Sequence, residues 1–267
     1  MSQAYVHGYD ERENERLRDQ AGSLVDLLHA DTSYPPGSLV LEAGCGVGAQ
    51  TITLAQRSPA ARFVSVDRSA ESLAAGRRLI DGAGITNVEF QHGDLFALPY
   101  PEASFDHVFV CFVLEHLAVP VDALLALKKL LKPGGTMTVI EGDHDSAYFH
   151  PDSAAARDAI DCLVTLQARA GGNGLIGRQL YPLLTGAGFT HVRVTERPVY
   201  VDGSRPDLID GFTRKTFTAM IEGVREPAIA AGLVSPERFD AGIRDLHRTA
   251  AADGVFCYAF FKGVGIK

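Results

Sequence analysis

The stretch Leu39-Val-Leu-Glu-Ala-Gly-Cys-Gly-Val-Gly-Ala-Gln-Thr51 constrains the fold more than any other part of the chain. An apolar run ends on an acid, three glycines alternate with other residues, and a sequence able to form a helix follows. That order reads as a buried strand, a tight turn and the start of a helix. Glycine has no Cβ, so such a turn lets a ligand lie against bare backbone. The spacing fits two kinds of nucleoside ligand. Gly44, Gly46 and Ala49 satisfy G-x-G-x-x-A, the dinucleotide pattern. Glu42 with Gly44, Gly46 and Gly48 satisfies E-x-G-x-G-x-G equally well. Both patterns want an acid after the next strand for the ribose hydroxyls, and Phe63-Val-Ser-Val-Asp67 supplies Asp67. A nucleoside is indicated, and which one is open at this point.

The rest of the chain extends the βα alternation. Strands are predicted at 38–43, 62–67, 87–91, 105–112 and 136–141, with helices at 49–57, 69–83 and 120–131. Strands separated by helices of this length imply parallel pairing through right-handed crossovers. Upstream, Leu17, Ala21, Leu24, Val25 and Leu28 form one apolar stripe of a helix over 10–30, which Tyr34-Pro-Pro-Gly37 stops. Downstream, helices are predicted at 153–170 and 176–186, then a strand at 189–201. Residues 207–250 read as two or three helices broken near Pro227 and Ser235-Pro236, and a strand follows at Val255–Phe261. A dinucleotide domain would continue with further parallel units. Here the last two strands are joined by a helical excursion, so the final strand is expected to enter the sheet edge antiparallel.

Composition narrows the functional classes. With 46% apolar residues, the 267-residue chain can build a real core. A net charge of −8, with no basic block, disfavours a sequence-independent grip on nucleic acid. No apolar run approaches a membrane span, and Met1-Ser-Gln-Ala-Tyr-Val-His does not read as a signal peptide. The four cysteines, 45, 111, 162 and 257, form no C-x-x-C pair. They read as reduced structural thiols of a cytoplasmic protein.

Taken together, several motifs in order resemble the class I S-adenosylmethionine-dependent methyltransferases, in particular the small-molecule branch of the ubiquinone/menaquinone-biosynthesis type. They are Glu42-Ala-Gly-Cys-Gly-Val-Gly48, Asp67, Gly93-Asp94-Leu95, Ser104-Phe-Asp106, Leu114-Glu-His-Leu117 and Leu131-Lys-Pro-Gly-Gly135. The resemblance spans roughly residues 38–200 plus the final strand. It implies an α/β, Rossmann-like, seven-stranded, mostly parallel sheet with the last strand antiparallel, helices on both faces and helical lid insertions. It implies one domain over 1–267: an N-terminal helical lid (1–36), a cofactor-binding core (37–142), a lid insertion (143–175), a return to the core (176–203), a helical insertion (204–250) and the final strand (251–267).

The resemblance also implies roles. The Gly44 and Gly46 backbone carries the methionine half of the cofactor, with Glu42 toward its ammonium and the helix start at Gln50 toward its carboxylate. Asp67 accepts both ribose hydroxyls, Arg68 lays its guanidinium on the adenine face, and Asp94 and the Leu95 amide meet the adenine edge. The Cys111 carbonyl faces the ammonium. Methyl transfer needs alignment, desolvation and, for some acceptors, a base. His116 is the expected base, oriented by Glu141, with Tyr9 as a lid residue over the ligand. No metal is expected: the Asp143-His144-Asp145 cluster lacks the aspartate after the fourth strand that magnesium-dependent relatives use. Aromatics in the three lids suit a small, flat, aromatic acceptor. The helical excursion at 204–250 is long enough to join two copies as a homodimer. Two other classes fit less well: a non-catalytic S-adenosylmethionine-binding module, and an NAD-dependent oxidoreductase, which would need a second nucleotide half and a catalytic Tyr-x-x-x-Lys set.

Overall fold

The computed structural model of the protein describes residues 24–267. Of the N-terminal lid, Tyr5, His7, Gly8, Tyr9 and Arg12 therefore lie outside the described residues, as does the first part of the predicted helix over 10–30. That helix, α1, is described from residue 24 to residue 29, with Leu24 and Leu28 buried.

Strand β1 (Leu39–Ala43) is buried at every position after its first, as a strand covered on both faces must be. It pairs in parallel with β2 (Arg62–Asp67) on one side and β4 (Phe105–Cys111) on the other. Strand β3 (Val88–His92) adds to β2 and β5 (Leu131–His150) adds to β4, both parallel. Two further strands, β6 (Thr190–Val201) and β7 (Val255–Ile266), complete a seven-stranded sheet of order β3-β2-β1-β4-β5-β7-β6. The order reverses between β1 and β4, which is where open α/β sheets hold ligands beyond their carboxyl ends.

Strand β7 is antiparallel to both its neighbours, as expected, but it does not lie at the edge: it is inserted between β5 and β6. The reason is legible in side chains. Phe256 to Phe260 are buried on both faces of β7, whereas β6 alternates exposed and half-buried residues and carries Pro198, which has no N–H to donate and suits an edge. The same insertion lengthens β5. Expected over 136–141, it runs on to His150, because β7 offers partners for Tyr148, Phe149 and His150 after a register shift at Asp143. Residues 143–150, expected in a lid, are therefore part of the sheet.

The helices follow their caps. The Ser69 hydroxyl accepts from the Ser72 amide to start α3 (Ala70–Gly82), as Ser153 does from Ala156 for α5 (Ala154–Arg169). Between β1 and β2 lies α2 (Thr51–Arg57), and α4 (Pro120–Leu130) opens on a proline that needs no donor there. A 3₁₀ turn, Ile176–Gln179, leads into α6 (Leu180–Gly186). The helical excursion begins with one continuous run, α7, made of Pro206–Leu208, the wider π turns of Ile209–Thr218, and Ala219–Glu222. The Thr216 hydroxyl donates to the Gly211 carbonyl across one such turn. Then come α8 (Arg225–Ala230) and α9 (Pro236–Arg248). Pro227 does not break α8. It sits in the first turn, where backbone donors have no helical acceptor.

Two large apolar clusters hold these layers, with a smaller one of Cys45, Leu73, Ile80 and Phe90 seating α3. One joins Leu24, Leu28, Phe63 and Phe109 to Ile160, Phe212, Phe217, Phe239, Phe256 and Phe260; the other joins Leu41, Val66 and Val110 to Leu124, Leu127, Leu180 and Phe189. Phe217 lies 4.7 Å from Phe256 and 5.4 Å from Tyr258, ring centre to ring centre, so α7 is pinned to β7 by aromatic contacts.

Candidate active site

The glycine turn follows β1 with positive φ at Gly44, Gly46 and Gly48. The three glycines answer to different neighbours. A Cβ on Gly44 would run into the Val113 side chain, and one on Gly48 would lie 3.2 Å from the Gly76 Cα in α3. A Cβ on Gly46 would meet nothing within 4 Å. The first and third are demanded by packing, while the second presents its backbone to open space. The Gly46 amide donates to Asp67 Oδ2 at 2.8 Å, and the Ser69 amide donates to Oδ1 at 2.8 Å. Each carboxylate oxygen of Asp67 thus spends one lone pair on a backbone amide and keeps the other.

Glu42 is buried, and its Oε2 accepts from Thr51 Oγ1 at 2.6 Å and Ser65 Oγ at 2.7 Å. It ties β1 to α2 and β2. Burial pushes its carboxyl up to about 7; the two hydroxyls oppose that rise, and Asp67 adds to it. Gln50 faces α1: its Oε1 lies 2.7 Å from His29 Nε2. The buried His29 is pushed down to about 4, chiefly by desolvation, against the Gln50 hydrogen bond that favours its charged form.

The loop after β3 joins the same edge. The Gly93 amide donates to the Asp67 carbonyl at 3.1 Å. Asp94 is exposed, and its Oδ1 accepts from the Phe96 amide at 3.0 Å, so it closes its own turn. Leu95 is half-buried and Arg68 is exposed, with the Arg68 carbonyl 2.9 Å from His92 Nε2.

Beyond β4 the surroundings change. The Cys111 thiol is buried and pushed up by desolvation, then by Glu141. Phe112 holds φ +57°, a left-handed conformation costly for a side chain of this size, and its ring lies 5.4 Å from Phe260. The 3₁₀ turn Leu114–His116 follows. Glu141, expected to orient His116, instead commits Oε1 to the amides of Val113 (3.0 Å) and Leu114 (2.7 Å), and its Oε2 is buried without a hydrogen-bond partner. It holds the turn that carries His116. Burial and then Glu115 push the Glu141 carboxyl well up.

The carboxylate placed beside the His116 ring is Glu115, with Oε1 3.6 Å from His116 Nε2. The other Glu115 oxygen accepts from Gln167 Nε2 at 3.2 Å and lies 3.3 Å from His144 Nε2. His144 Nδ1 is 2.9 Å from the Tyr258 hydroxyl. Asp143 and Asp145 are engaged by Arg178, whose Nη2 is 2.7 Å from Asp143 Oδ1 and 3.2 Å from Asp145 Oδ2. Among the described residues no cluster of three His, Cys, Asp or Glu could hold a metal ion. Gln167, Arg178 and Tyr258 are the residues that sequence reasoning missed. Tyr258 sits in an apolar strand and reads as core, and nothing local marks Gln167 or Arg178.

Comparison with known proteins matches this frame. Residues 40–135 match the family model described as a methyltransferase domain. Over those residues the chain carries a methyltransferase domain. The matched segment of that domain holds the glycine turn, Asp67, Asp94 and the Leu114–His116 turn, and it ends before Glu141, His144, Gln167 and Tyr258. An uncharacterized 37.1 kDa protein in a transposon of Streptomyces fradiae is 35% identical over 218 residues, covering 80% of this chain and 61% of that protein. A demethylmenaquinone methyltransferase of Listeria welshimeri is 33% identical over 106 residues, 39% of this chain and 45% of that enzyme. The chain thus spans about half to three-fifths of the length of such relatives. A phosphoethanolamine N-methyltransferase of Haemonchus contortus, solved with phosphomonomethylethanolamine and S-adenosylhomocysteine, shares the methyltransferase fold at TM-score 0.57 and 16% identity, over 93% of this chain and 53% of that one. Among the described residues no helix is long and apolar enough to cross a membrane.

Proposed function

We propose that this protein transfers a methyl group from S-adenosylmethionine to a small aromatic acceptor of the phenol, indole or quinone-precursor kind, releasing S-adenosylhomocysteine. The observation that carries the reading is the Gly46–Asp67 pair. A backbone surface open on one side is locked to an acid with lone pairs to spare, at the reversal of strand order. The residues fit the cofactor: Asp67 receives the ribose hydroxyls, Gly44 and Gly46 support the methionine half with Glu42, Gln50 and the Cys111 carbonyl, and Arg68, Asp94 and Leu95 border the adenine. S-adenosylmethionine, when bound, supplies a methyl group already activated by its sulfonium.

The chain's own residues then align, dry and deprotonate. Phe112 is held over the end of β4 beside Phe260, and with Phe212 behind Phe260 it gives the aromatic acceptor an apolar wall. His116, half-buried on a turn fixed by Glu141, takes the acceptor's proton. The buried, unbridged cysteines suit a cytoplasmic protein, and the helical excursion suits pairing of two copies. Isothermal titration tests the reading: S-adenosylhomocysteine binds and NAD does not. A panel of phenols, indoles and quinone precursors should then show turnover. Binding without turnover of any of them would favour a non-catalytic module, and binding of NAD alone would overturn the proposal.

A further inference from the structure

We propose that His29 is a positioning residue for the carboxylate of the cofactor: by donating from Nε2 to Gln50 Oε1, it fixes the Gln50 carboxamide with its NH2 left for that carboxylate. The proposal rests on the methyl-transfer reading, which puts Gln50 beside the methionine half. It adds a residue that lies outside the matched methyltransferase segment.

The end of α1 grips α2 at both of its ends. His29 Nε2 lies 2.7 Å from Oε1 of Gln50, the residue just before α2, and the Ala30 carbonyl accepts from Nη2 of Arg57, the last residue of α2, at 2.9 Å. From β7, the buried Lys262 donates to Asp31 Oδ1 and to Thr32 Oγ1, each at 2.6 Å. Arg57 and Lys262 therefore hold this segment in place independently of the His29 bond. The His29 ring is fully buried, with its centre 5.8 Å from that of Phe109, so it has little room to turn.

Hydrogen accounting sets the direction of the His29–Gln50 bond. The contact needs one hydrogen, from the imidazole or from the carboxamide. His29 Nδ1 is buried without a hydrogen-bond partner. Were Gln50 the donor, the neutral ring would carry its hydrogen on Nδ1, and an N–H would be buried with no acceptor. With His29 as the donor, only a lone pair is left unused there. Among backbone groups an orphaned buried N–H is the rarer of these two faults, and the same accounting applies to the ring. The charged ring, with a hydrogen on both nitrogens, is opposed by desolvation first and then by Lys262 and Arg57, against the Gln50 bond and Asp31. With Oε1 taken, what Gln50 has left to offer is its NH2. Gln50 is half-buried, and its side chain does not cap its own helix. An amide NH2 suits a carboxylate and gives nothing to an ammonium.

Paired titrations of the full-length protein test this, one with S-adenosylhomocysteine and one with methylthioadenosine, which shares the nucleoside and the thioether but lacks the amino acid. His29→Phe keeps a ring in the core and removes the donor. It should weaken S-adenosylhomocysteine by about two- to tenfold, the worth of one neutral hydrogen bond, and leave methylthioadenosine within about twofold. His29→Gln, which returns an N–H near the place of Nε2, should recover part of the loss. Gln50→Glu should lose S-adenosylhomocysteine selectively, because two carboxylates would then meet. Nitrogen NMR of the unaltered protein with labelled histidine should show His29 protonated on Nε2 and bare on Nδ1, a result that needs no variant to fold. The reverse tautomer overturns the proposal. So does an equal effect on both ligands, or none on either, in a His29→Phe protein that still melts cooperatively. Failure of the unaltered protein to bind S-adenosylhomocysteine is a different result: it overturns the methyl-transfer reading, and the role of His29 with it.

Discussion

On the β3-β2-β1-β4 side of the sheet, the polar groups of the site are fixed by close neighbours and by backbone. Asp67 is held by the amides of Gly46 and Ser69, Asp94 by that of Phe96, and Glu42 by the hydroxyls of Thr51 and Ser65. On the β5-β7-β6 side, the work passes to side chains far apart in sequence. Glu115 meets Gln167 and His144, His144 meets Tyr258, and Phe212 and Phe217 of α7 close on Phe256. The first half's bonds span at most 23 residues of sequence. The second exists only once β7 has slid between β5 and β6. On the proposed function, the cofactor and the acceptor fall to different halves, and binding of each should be separable from the other by mutation.

The harshest attempt to break this division is Phe256→Ala. The ring is fully buried against Phe149, Phe212 and Phe217, so its loss should cost about 3–5 kcal/mol in urea unfolding. The affinity of the folded protein for S-adenosylhomocysteine should stay within about twofold, because distant sites behave additively. Collapse of that affinity would mean the halves are one unit.

Glu42→Gln comes next, and its sign depends on pH. Burial holds the Glu42 carboxyl at about 7 against an ordinary 4.5. Between those values the folded protein keeps a proton that the unfolded chain has released. The group's contribution is therefore intact below 4.5, declines as pH rises, and is lost above 7. A neutral isostere that keeps the hydroxyls of Thr51 and Ser65 as partners should raise stability well above pH 7 by about 3 kcal/mol. Thermal melts should show that advantage vanish toward the acid end, and a gain independent of pH would count against it.

Asp67→Ala should weaken S-adenosylhomocysteine binding more than about tenfold, from the roughly 1.5–3 kcal/mol of a charge-assisted hydrogen bond. Asp94→Ala should do least, costing roughly 0.5–1 kcal/mol for one exposed turn bond and a few-fold in affinity. Equal effects at the two acids would move the anchor of the nucleoside from the glycine turn to the loop after β3.

The same division explains what could be read from the amino acids. Every element of the β1–β4 half falls within a residue or two of its expected place, since apolar runs, the glycine turn and caps such as Ser69 are local signals. The apolar pattern around Phe256–Phe260 predicts a strand but carries nothing about which strands flank it. The inner position of β7, and with it the extension of β5 to His150, stayed hidden for that reason. The site shows the same limit. Glu141 and His116 stand out as polar residues at strand ends, yet their partners are amides of Val113 and Leu114 in one case and Glu115 in the other. Periodicity cannot tell which of the two acids, Glu115 or Glu141, faces the ring. Tyr258 and Gln167 were invisible because a buried tyrosine or glutamine in an apolar element usually serves packing.

The glycines of the turn carry one more consequence, for reading descent. Gly44 answers to Val113 and Gly48 to Gly76, contacts internal to the fold. A relative that had shed the chemistry but kept this architecture would still be held to glycine at both places, and at Gly46 by its φ of +52° alone. An asparagine, which tolerates that conformation, could replace Gly46 without a clash where the outer pair could not change. The three glycines thus testify mostly to the fold, and Asp67 beside them is the better witness to what the turn is for.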